Sequence, residues 1–289
     1  MKPFTYHAPT TVAEAVEMLD KYQSSCAVVA GGTDVVIELN ERHKTPEHVI
    51  SISKLDELRY VKEEDGMVKI GALTTFTDLE NNPYVKEKLP ALYETAIHVG
   101  SPQIRNLGTI GGNVVNASVA GDSPTTLVTL GASVVLRSAK GDRIMTIEDF
   151  NKGPGNCAIR PDELMIEARF PALGPDEAVG YFKIGKRKSL AIVVLAVSIY
   201  VKRTADNKVE DCRVVLGAVS KHPMRAPELE ELLKGKSLET GVLYDTLPAF
   251  TEAVQAAIPT RPSVVYKREG DRGAARRCYD QILSQLGLA

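Results

Sequence analysis

Two glycine-rich segments, far apart along the chain, constrain the fold more than any other feature of the sequence. AGGTD at 30–34 follows a short apolar run typical of a strand, and GTIGGN at 108–113 lies in a different local context. Adjacent glycines let a backbone approach a ligand closely and align several N–H donors for phosphate oxygens. Each segment alone is explained equally well by a tight turn. Together they predict a pyrophosphate-containing ligand bound between two lobes.

Motif spacing, charge and cysteine placement disfavour several other classes of protein. Neither glycine segment fits G-x-G-x-x-G, and neither has the Lys-Ser/Thr of a P-loop, so a Rossmann site or an NTPase is not supported. The formal net charge of −2 and the pI near 6.3 indicate no basic field for nucleic acid. The four cysteines lie far apart and form no C-x-x-C pair, so they lack the ligand spacing of a zinc site or an iron–sulfur cluster.

Length and hydropathy indicate a two-domain protein without a membrane span. The 289 residues exceed what one core accounts for, since a usual domain has roughly 100–150 residues. Apolar residues make up 44% and charged residues 25%, as in an ordinary globular protein. The N-terminus has no apolar run behind a basic stretch, and no apolar run is long enough to span a bilayer, so we expect a cytoplasmic protein.

Helical and strand periodicities alternate in the N-terminal part of the chain. Apolar residues at helical spacing after Thr10-Thr11 predict a capped helix over 11–22, followed by a strand over 26–30. YVKEEDGMVKIGA predicts a hairpin that turns at Glu64-Asp65-Gly66. A single amphipathic helix is expected over 86–99. Further predicted strands cover 48–52, 132–138, 143–147 and 164–170.

A loop at 171–175 separates this region from a smaller α+β part. Three segments there have the composition of antiparallel strands, and three others that of helices packed on the sheet. The predicted strands are 180–186, 191–201 and 212–219, and the predicted helices are 227–233, 243–257 and 272–286.

Taken together, the motifs resemble those of the FAD subunits of the xanthine dehydrogenase and carbon monoxide dehydrogenase family of molybdenum hydroxylases. The resemblance is carried by AGGTD, by GSPQIRNLGTIGGN and by Ala117-Ser118 with Gly121-Asp122. It extends through RPDEL at 160–164 and FKIGKR at 182–187, and is collinear over essentially the whole chain. Within the family, GSPQIRNLGTIGGN, KRKSLAI and RPSVVYK are most similar to the flavin subunits of bacterial nicotinate or xanthine dehydrogenases.

The resemblance implies an α+β fold with two domains. Residues 1–173 would form a two-lobed FAD-binding domain of the vanillyl-alcohol-oxidase/PCMH type, with lobes at about 1–55 and 56–173. Residues 177–289 would form an α+β domain of the CO dehydrogenase flavoprotein type, with a three-stranded antiparallel sheet and helices.

The resemblance also implies a set of FAD-binding residues, with no catalytic and no metal-binding residue. Asp122 would accept hydrogen bonds from the adenosine ribose, although a turn-capping role explains it equally well. Lys183 would approach the cofactor and favour the negative charge of the reduced flavin, or else lie with Lys186, Arg187 and Lys188 in a solvated basic cluster or a subunit contact. The implied cofactor-binding residues are Ala30, Gly31, Gly32, Thr33, Asp34, Val35, Thr109, Ile110, Gly111, Gly112, Asn113, Ala117, Asp122, Leu164, which would pack against the cofactor, and Lys183.

By the same resemblance, the chain would be the oxidoreductase subunit that holds FAD in a dimer of heterotrimers. A large subunit would bind molybdopterin and hydroxylate a purine or N-heteroaromatic substrate such as xanthine or nicotinate, and a small subunit would carry two [2Fe-2S] clusters. Many relatives have an Asp near the flavin where this chain has Lys188-Ser189-Leu190-Ala191, which leaves the acceptor open between NAD, NADP and another carrier. The alternatives are a free-standing FAD-dependent oxidoreductase of the same fold and a flavin-free structural subunit.

Overall fold

A computed structural model describes residues 1–187 and 190–289, and its first lobe is built on a small parallel sheet. Strand β3 lies between β1 and β2, with His48 paired to both Thr5 and Cys26. Thr11 caps α1, because its hydroxyl accepts a hydrogen bond from Glu14 N at 3.2 Å. The helix expected over 11–22 is therefore confirmed. The elements are β1 Thr5–His7, α1 Val12–Tyr22, β2 Cys26–Val29, α2 Val35–Asn40 and β3 His48–Ser51.

The second lobe contains a five-stranded antiparallel sheet in the order β4-β5-β10-β6-β7, covered by short helices. The predicted hairpin is present: Asp65 and Gly66 both have positive φ angles, 54° and 71°, as a tight two-residue turn requires. The elements are β4 Val61–Glu64, β5 Met67–Gly71, α3 Phe76–Asn81, α4 Pro83–Lys88, α5 Pro90–His98, α6 Pro102–Leu107, α7 Ile110–Val115, α8 Asp122–Thr129, β6 Ser133–Ser138, β7 Gly141–Thr146, α9 Ile147–Phe150, β8 Asn151–Gly153, β9 Asn156–Cys157 and β10 Leu164–Pro171.

Two sequence-based expectations in this lobe are wrong. The single helix over 86–99 is two helices, because Pro90 cannot continue α4 and instead begins α5. The second glycine segment is not a loop throughout, since it becomes helical at Ile110.

The C-terminal part folds as an antiparallel sheet in the order β11-β12-β13-β14 with helices against it. Three of these strands were expected from the sequence, and the two-residue β14 is an addition. The helix expected over 243–257 is divided before Pro248, and the last helix begins at Val264 instead of Arg272. The elements are β11 Glu177–Gly185, β12 Val193–Arg203, β13 Val209–Gly217, β14 Met224–Arg225, α10 Pro227–Leu233, α11 Thr240–Tyr244, α12 Leu247–Ala257 and α13 Val264–Gln285.

The C-terminal sheet lies between two sets of helices. Helix α13 packs on one face, while α5 and α8 of the second lobe pack on the other. Val179, Tyr181 and Tyr200 belong to the same apolar cluster as the core of the second lobe. The α+β class is confirmed, whereas the division of the chain at 173–177 stays a prediction. Within the described residues, no helix is both long and apolar enough to cross a membrane.

Candidate functional site

A cavity of about 470 Å³ lies between the first and second lobes. This volume falls within the range of about 300–1,000 Å³ that is usual for small-molecule and cofactor sites. Residues from both glycine segments line it, together with apolar side chains that include Ile52, Phe76, Val99 and Ile104. The residues expected from the sequence that line this cavity are Ala30, Gly31, Gly32, Thr33, Asp34, Val35, Thr109, Gly111, Gly112, Asn113 and Leu164.

The first glycine segment connects β2 to α2 and leaves its backbone donors available. A Cβ on Gly31 would lie 1.7 Å from Leu107 O, so no other residue allows the two lobes to approach this closely. Gly32 has a φ of +75°, a conformation that favours glycine. Among the described residues, none accepts a hydrogen bond from the backbone N–H groups of 31–35. A run of such donors suits the phosphate oxygens of an anionic ligand.

The second glycine segment uses most of its donors inside the protein. Thr109 caps α7, with its hydroxyl accepting from Gly112 N at 3.0 Å, and its carbonyl accepts from Asn113 N at 3.0 Å. Gly111 N donates to Ala72 O at 3.0 Å, and a Cβ on Gly111 would lie 2.6 Å from the Ala72 Cβ. The expectation that this segment presents a second row of free N–H donors is therefore wrong for 110–113. Its contribution to the cavity is a closely packed wall.

Side-chain hydrogen bonds hold the cavity wall in place. Asn113 Oδ1 accepts from the Ser123 hydroxyl at 2.7 Å and from Ser123 N at 3.3 Å. Asp34 of the first lobe accepts from Asn116 Nδ2 at 3.1 Å. These contacts connect α7 to α8 and to the first lobe, because each hydrogen bond joins residues of different elements.

Asp122 and Lys183 form a buried ion pair between the second lobe and the C-terminal sheet. Their charged atoms are 2.8 Å apart, and the two side chains are 10% and 5% exposed. The Tyr181 hydroxyl donates to the same carboxylate at 3.2 Å, and Lys183 Nζ also donates to His98 O at 2.8 Å. Burial raises the pKa of Asp122, and the Lys183 charge opposes that rise.

Four of the residues expected to bind the cofactor lie outside the lining of the cavity. They are Ile110, which is buried in the core, Ala117, whose carbonyl accepts from Gly155 N, and the ion pair of Asp122 and Lys183. Direct contact of these four with a cofactor stays a prediction. The departure at Lys188 and Ser189 lies outside the described residues.

The structure adds cavity residues that the sequence did not indicate. Lys44 reaches the cavity from the loop after α2, and Arg160 reaches it from the segment before β10. Glu163 holds that segment, because it accepts from Arg143 at 2.8 and 2.7 Å and from Arg160 N at 2.8 Å. Burial acts to raise the pKa of Glu163, but these hydrogen bonds outweigh it and the pKa lies below its ordinary value. No local pattern marks Lys44.

The cavity fits a flavin dinucleotide. It combines the free N–H donors of 31–35 for a pyrophosphate with apolar walls for aromatic rings, and two lobes close over it through the Gly31 contact. Among the described residues, no cluster of three or more His, Cys, Asp or Glu side chains could hold a metal ion. The fold and the site thus define the class of two-lobed FAD-binding proteins.

Comparison with known proteins identifies the family within this class. Residues 2–173 match the FAD binding domain in molybdopterin dehydrogenase, and residues 180–282 match the CO dehydrogenase flavoprotein C-terminal domain. The chain belongs to this family, as the FAD-binding medium subunit of the xanthine, CO and nicotinate dehydrogenases. It is accordingly an oxidoreductase flavin subunit, in a family whose molybdopterin and iron–sulfur centres lie in partner subunits.

Related chains occur in enzymes that are named for different substrates. The chain is 41% identical to the nicotinate dehydrogenase FAD-subunit of Eubacterium barkeri, covering 99% of this chain and 98% of that one. It is 33% identical to the glyceraldehyde dehydrogenase medium chain of Sulfolobus acidocaldarius, over 96% and 98% of the two chains. A solved carbon monoxide dehydrogenase from Hydrogenophaga pseudoflava superimposes with a TM-score of 0.88 at 28% identity, covering 99% of both chains.

Proposed function

We propose that this chain accepts electrons from iron–sulfur clusters in a small partner chain and passes them to NAD(P) or another acceptor. The proposal includes a large molybdopterin-binding partner, assembly as a dimer of heterotrimers, and a purine or N-heteroaromatic substrate such as nicotinate or xanthine. The cavity with its free N–H donors at 31–35 carries the FAD part of this assignment. Bound FAD supplies the redox chemistry, and the residues of this chain bind and orient it.

The similarity to a nicotinate dehydrogenase subunit supports an N-heteroaromatic substrate for the complex. The substrate would bind to another polypeptide, because relatives of this subunit serve enzymes named for nicotinate, glyceraldehyde and carbon monoxide. We therefore expect the isolated chain, even with FAD bound, to be inactive toward a purine or nicotinate.

Exposed apolar side chains beside the cavity support a partner chain at this face. Ile104 lines the cavity and is 38% exposed, and Leu107, whose carbonyl lies against Gly31, is 57% exposed. Leu190, whose N–H donates to Gly100 O, and Ile192 are 49% and 77% exposed. Large exposed apolar groups that cluster on a surface commonly mark a protein interface.

The proposal is tested by purifying the native assembly and analysing its chains and chromophores. We expect noncovalent FAD in this chain, together with a molybdopterin chain and an iron–sulfur chain. Reduction of the FAD by the substrate should require both partners. Purification of this chain without partners, yellow and able to oxidise an organic substrate by itself, would overturn the proposed electron transfer from a partner chain. It would favour the free-standing oxidoreductase.

The partner surface is tested separately with matched surface variants. Ile192→Ser and Leu107→Ser should reduce recovery of the iron–sulfur chain while FAD remains bound. Ile144→Ser is the control, because Ile144 is 53% exposed on β7 and does not line the cavity. Equal recovery of the partner with all three variants would show that it binds elsewhere.

A further inference from the structure

A largely buried arginine joins helix α6 to two neighbouring parts of the second lobe. The Arg105 side chain is 13% exposed, and its Nε donates to Glu80 Oε2 on α3 at 2.9 Å. Its Nη1 donates to the carbonyl of Val99, the residue after α5, at 3.3 Å. A guanidinium carries its donors in a rigid plane, so it can hold two partners in a fixed relative position. Arg105 therefore links α6 both to α3 and to the end of α5.

The segment that Arg105 holds forms part of the cavity wall. Val99 and Ile104 line the cavity, whereas Arg105 does not. Gly100 has a φ of +47°, and a Cβ there would lie 2.8 Å from Ile104 Cγ2, so the chain folds back tightly on itself. The apolar wall at 99–104 thus depends on how closely this turn is held to the rest of the lobe.

A second hydrogen bond supports the same segment from α3. The Thr77 hydroxyl donates to Asn106 Oδ1 at 2.6 Å. Phe76, the first residue of α3, donates its N–H to Gly108 O at 3.1 Å and itself lines the cavity. Helix α3 is therefore the support on which this segment rests. The contact of Glu80 with Arg105 is the strongest of the three, because both of its groups are charged.

The position of the segment indicates which part of FAD it would contact. The free N–H donors of 31–35 suit the pyrophosphate, so the two ring systems of FAD would lie on either side of them. Electrons enter and leave FAD at the flavin ring, so this ring must lie where a partner can approach. Ile104, Leu107 and Leu190 are exposed at this end of the cavity. The apolar wall formed by this segment thus suits the flavin ring rather than the adenine.

We propose that Arg105 is a positioning residue that holds Val99 and Ile104 against the flavin ring and so limits the access of water to it. The inference rests on the proposed function, and it concerns a residue that does not itself line the cavity. A reduced flavin carries negative charge, and a charge is less stable in an apolar environment than in water. Loosening of this wall should therefore raise the midpoint potential of the flavin and expose the ring to solvent.

The test compares variants that remove either half of the ion pair from the complete, FAD-loaded chain. Arg105→Met and Glu80→Met should both raise the midpoint potential, measured by equilibration with a reference dye, and both should increase the quenching of flavin fluorescence by iodide several-fold. A direct effect of charge across the protein would instead shift the potential in opposite directions, because one variant removes a cation and the other an anion. Opposite shifts without increased quenching would overturn the proposal.

A double variant, a conservative variant and a control separate positioning from a general loss of stability. Because the pair acts as a unit, the double variant should be quenched no more than the more affected single variant. Arg105→Lys keeps the pair with Glu80 but lacks the planar fork for Val99 O, so it should restore the Tm more fully than the quenching. Arg59→Met removes an exposed ion pair with Asp78 on the same helix, α3, and should leave the flavin unchanged. A lower Tm with an unchanged potential and unchanged quenching would assign Arg105 a structural role only and would contradict the proposal.

A milder substitution covers the case in which the charge variants do not fold. Thr77→Val removes only the 2.6 Å hydrogen bond to Asn106 and should increase the quenching by a smaller factor in the same direction. Quenching identical to that of the unaltered chain would count against the proposal. If the unaltered chain binds no FAD, the proposed function itself fails and this inference with it. Normal FAD binding with the same potential and quenching in all variants overturns the positioning role alone.

Discussion

The first glycine segment, 30–34, and the second, 108–113, each combine two adjacent glycines with a threonine, yet the structure uses their backbones differently. In the first, the N–H groups of 31–35 have no acceptor among the described residues. In the second, the N–H groups of 110–113 all donate within the protein, to Thr74, Ala72 and Thr109. The first segment therefore has backbone donors available for an anionic ligand, whereas the donors of the second are used in packing.

The reason for glycine also differs between the segments. Gly31 is required because Leu107 O of the other lobe lies where its Cβ would be, so this glycine closes the cavity. Gly111 is required because Ala72, the residue that follows β5, lies against it within the same lobe. Two similar motifs can therefore mark a ligand cradle in one place and a tight helix–sheet contact in another.

The largest effect that distinguishes the segments is expected for Gly31→Ala. Its added Cβ collides with backbone, which cannot move as a flexible side chain could, so the lobes must separate. We expect the Kd for FAD to rise on the order of 100-fold, as measured by fluorescence titration. Gly241→Ala is the matched control, because a Cβ there meets nothing within 4 Å. Unaltered FAD binding by Gly31→Ala would mean that lobe closure is not needed.

In contrast to Gly31→Ala, Gly111→Ala should reduce the stability of the fold more than the affinity for FAD. The added Cβ would meet the Ala72 Cβ at 2.6 Å and its carbonyl at 2.7 Å, so the change overpacks the second lobe. The free energy of unfolding in urea should fall by about 1–3 kcal/mol, with a smaller loss of FAD affinity than for Gly31→Ala. Gly273→Ala, at an unobstructed helical position, serves as the control. A loss of affinity without a loss of stability would erase the distinction between the segments.

Local signals in the sequence predicted those parts of the fold that depend on neighbouring residues. Thr11 as a helix cap and Asp65-Gly66 as a hairpin turn were both foreseen, since each feature is complete within a few residues. Pro90 carried a local signal too, but the apolar periodicity across it favoured one long helix. The family resemblance supplied the two-lobed architecture, which periodicity alone did not indicate.

Long-range contacts could not be predicted from spacing, and they decide several details of the site. Nothing in the sequence pairs Asp122 with Lys183, because their contact depends on how the C-terminal sheet docks against α5 and α8. The free edge of β11 shows the same limit: Gln281 accepts from Tyr181 N, and Gln285 bonds both the N–H and the carbonyl of Val179. The two glutamine side chains of α13 thus form the hydrogen bonds that a neighbouring strand would otherwise form with β11. Sequence spacing does not indicate this, because α13 and β11 are about 100 residues apart.

Removal of the Thr109 hydroxyl should have a smaller effect than either glycine change. Thr109→Ala leaves Gly112 N without its 3.0 Å cap, which typically costs about 1 kcal/mol of folding stability. Thr109→Ser should restore the stability, because the serine hydroxyl can accept the same hydrogen bond. Urea unfolding is measured with and without FAD. If the hydroxyl instead contacts a phosphate of FAD, the Kd for FAD will change together with the stability. That outcome would mean that the second glycine segment also binds the cofactor.

The smallest expected effect is that of a change at Glu163, which holds the segment before β10 against the cavity. Unlike the two glycine segments, this part of the wall is positioned by side-chain hydrogen bonds. The pKa of Glu163 lies below its ordinary value, so its contribution to stability is complete above the pKa of an unfolded glutamate, about 4.3. That contribution is lost as the pH falls further, through the pKa of the folded protein, when Arg143 loses its charged partner. Glu163→Gln should therefore flatten the acid limb of a plot of Tm against pH, with little change in FAD affinity near neutrality. An acid limb identical to that of the unaltered chain would show that other carboxylates control it.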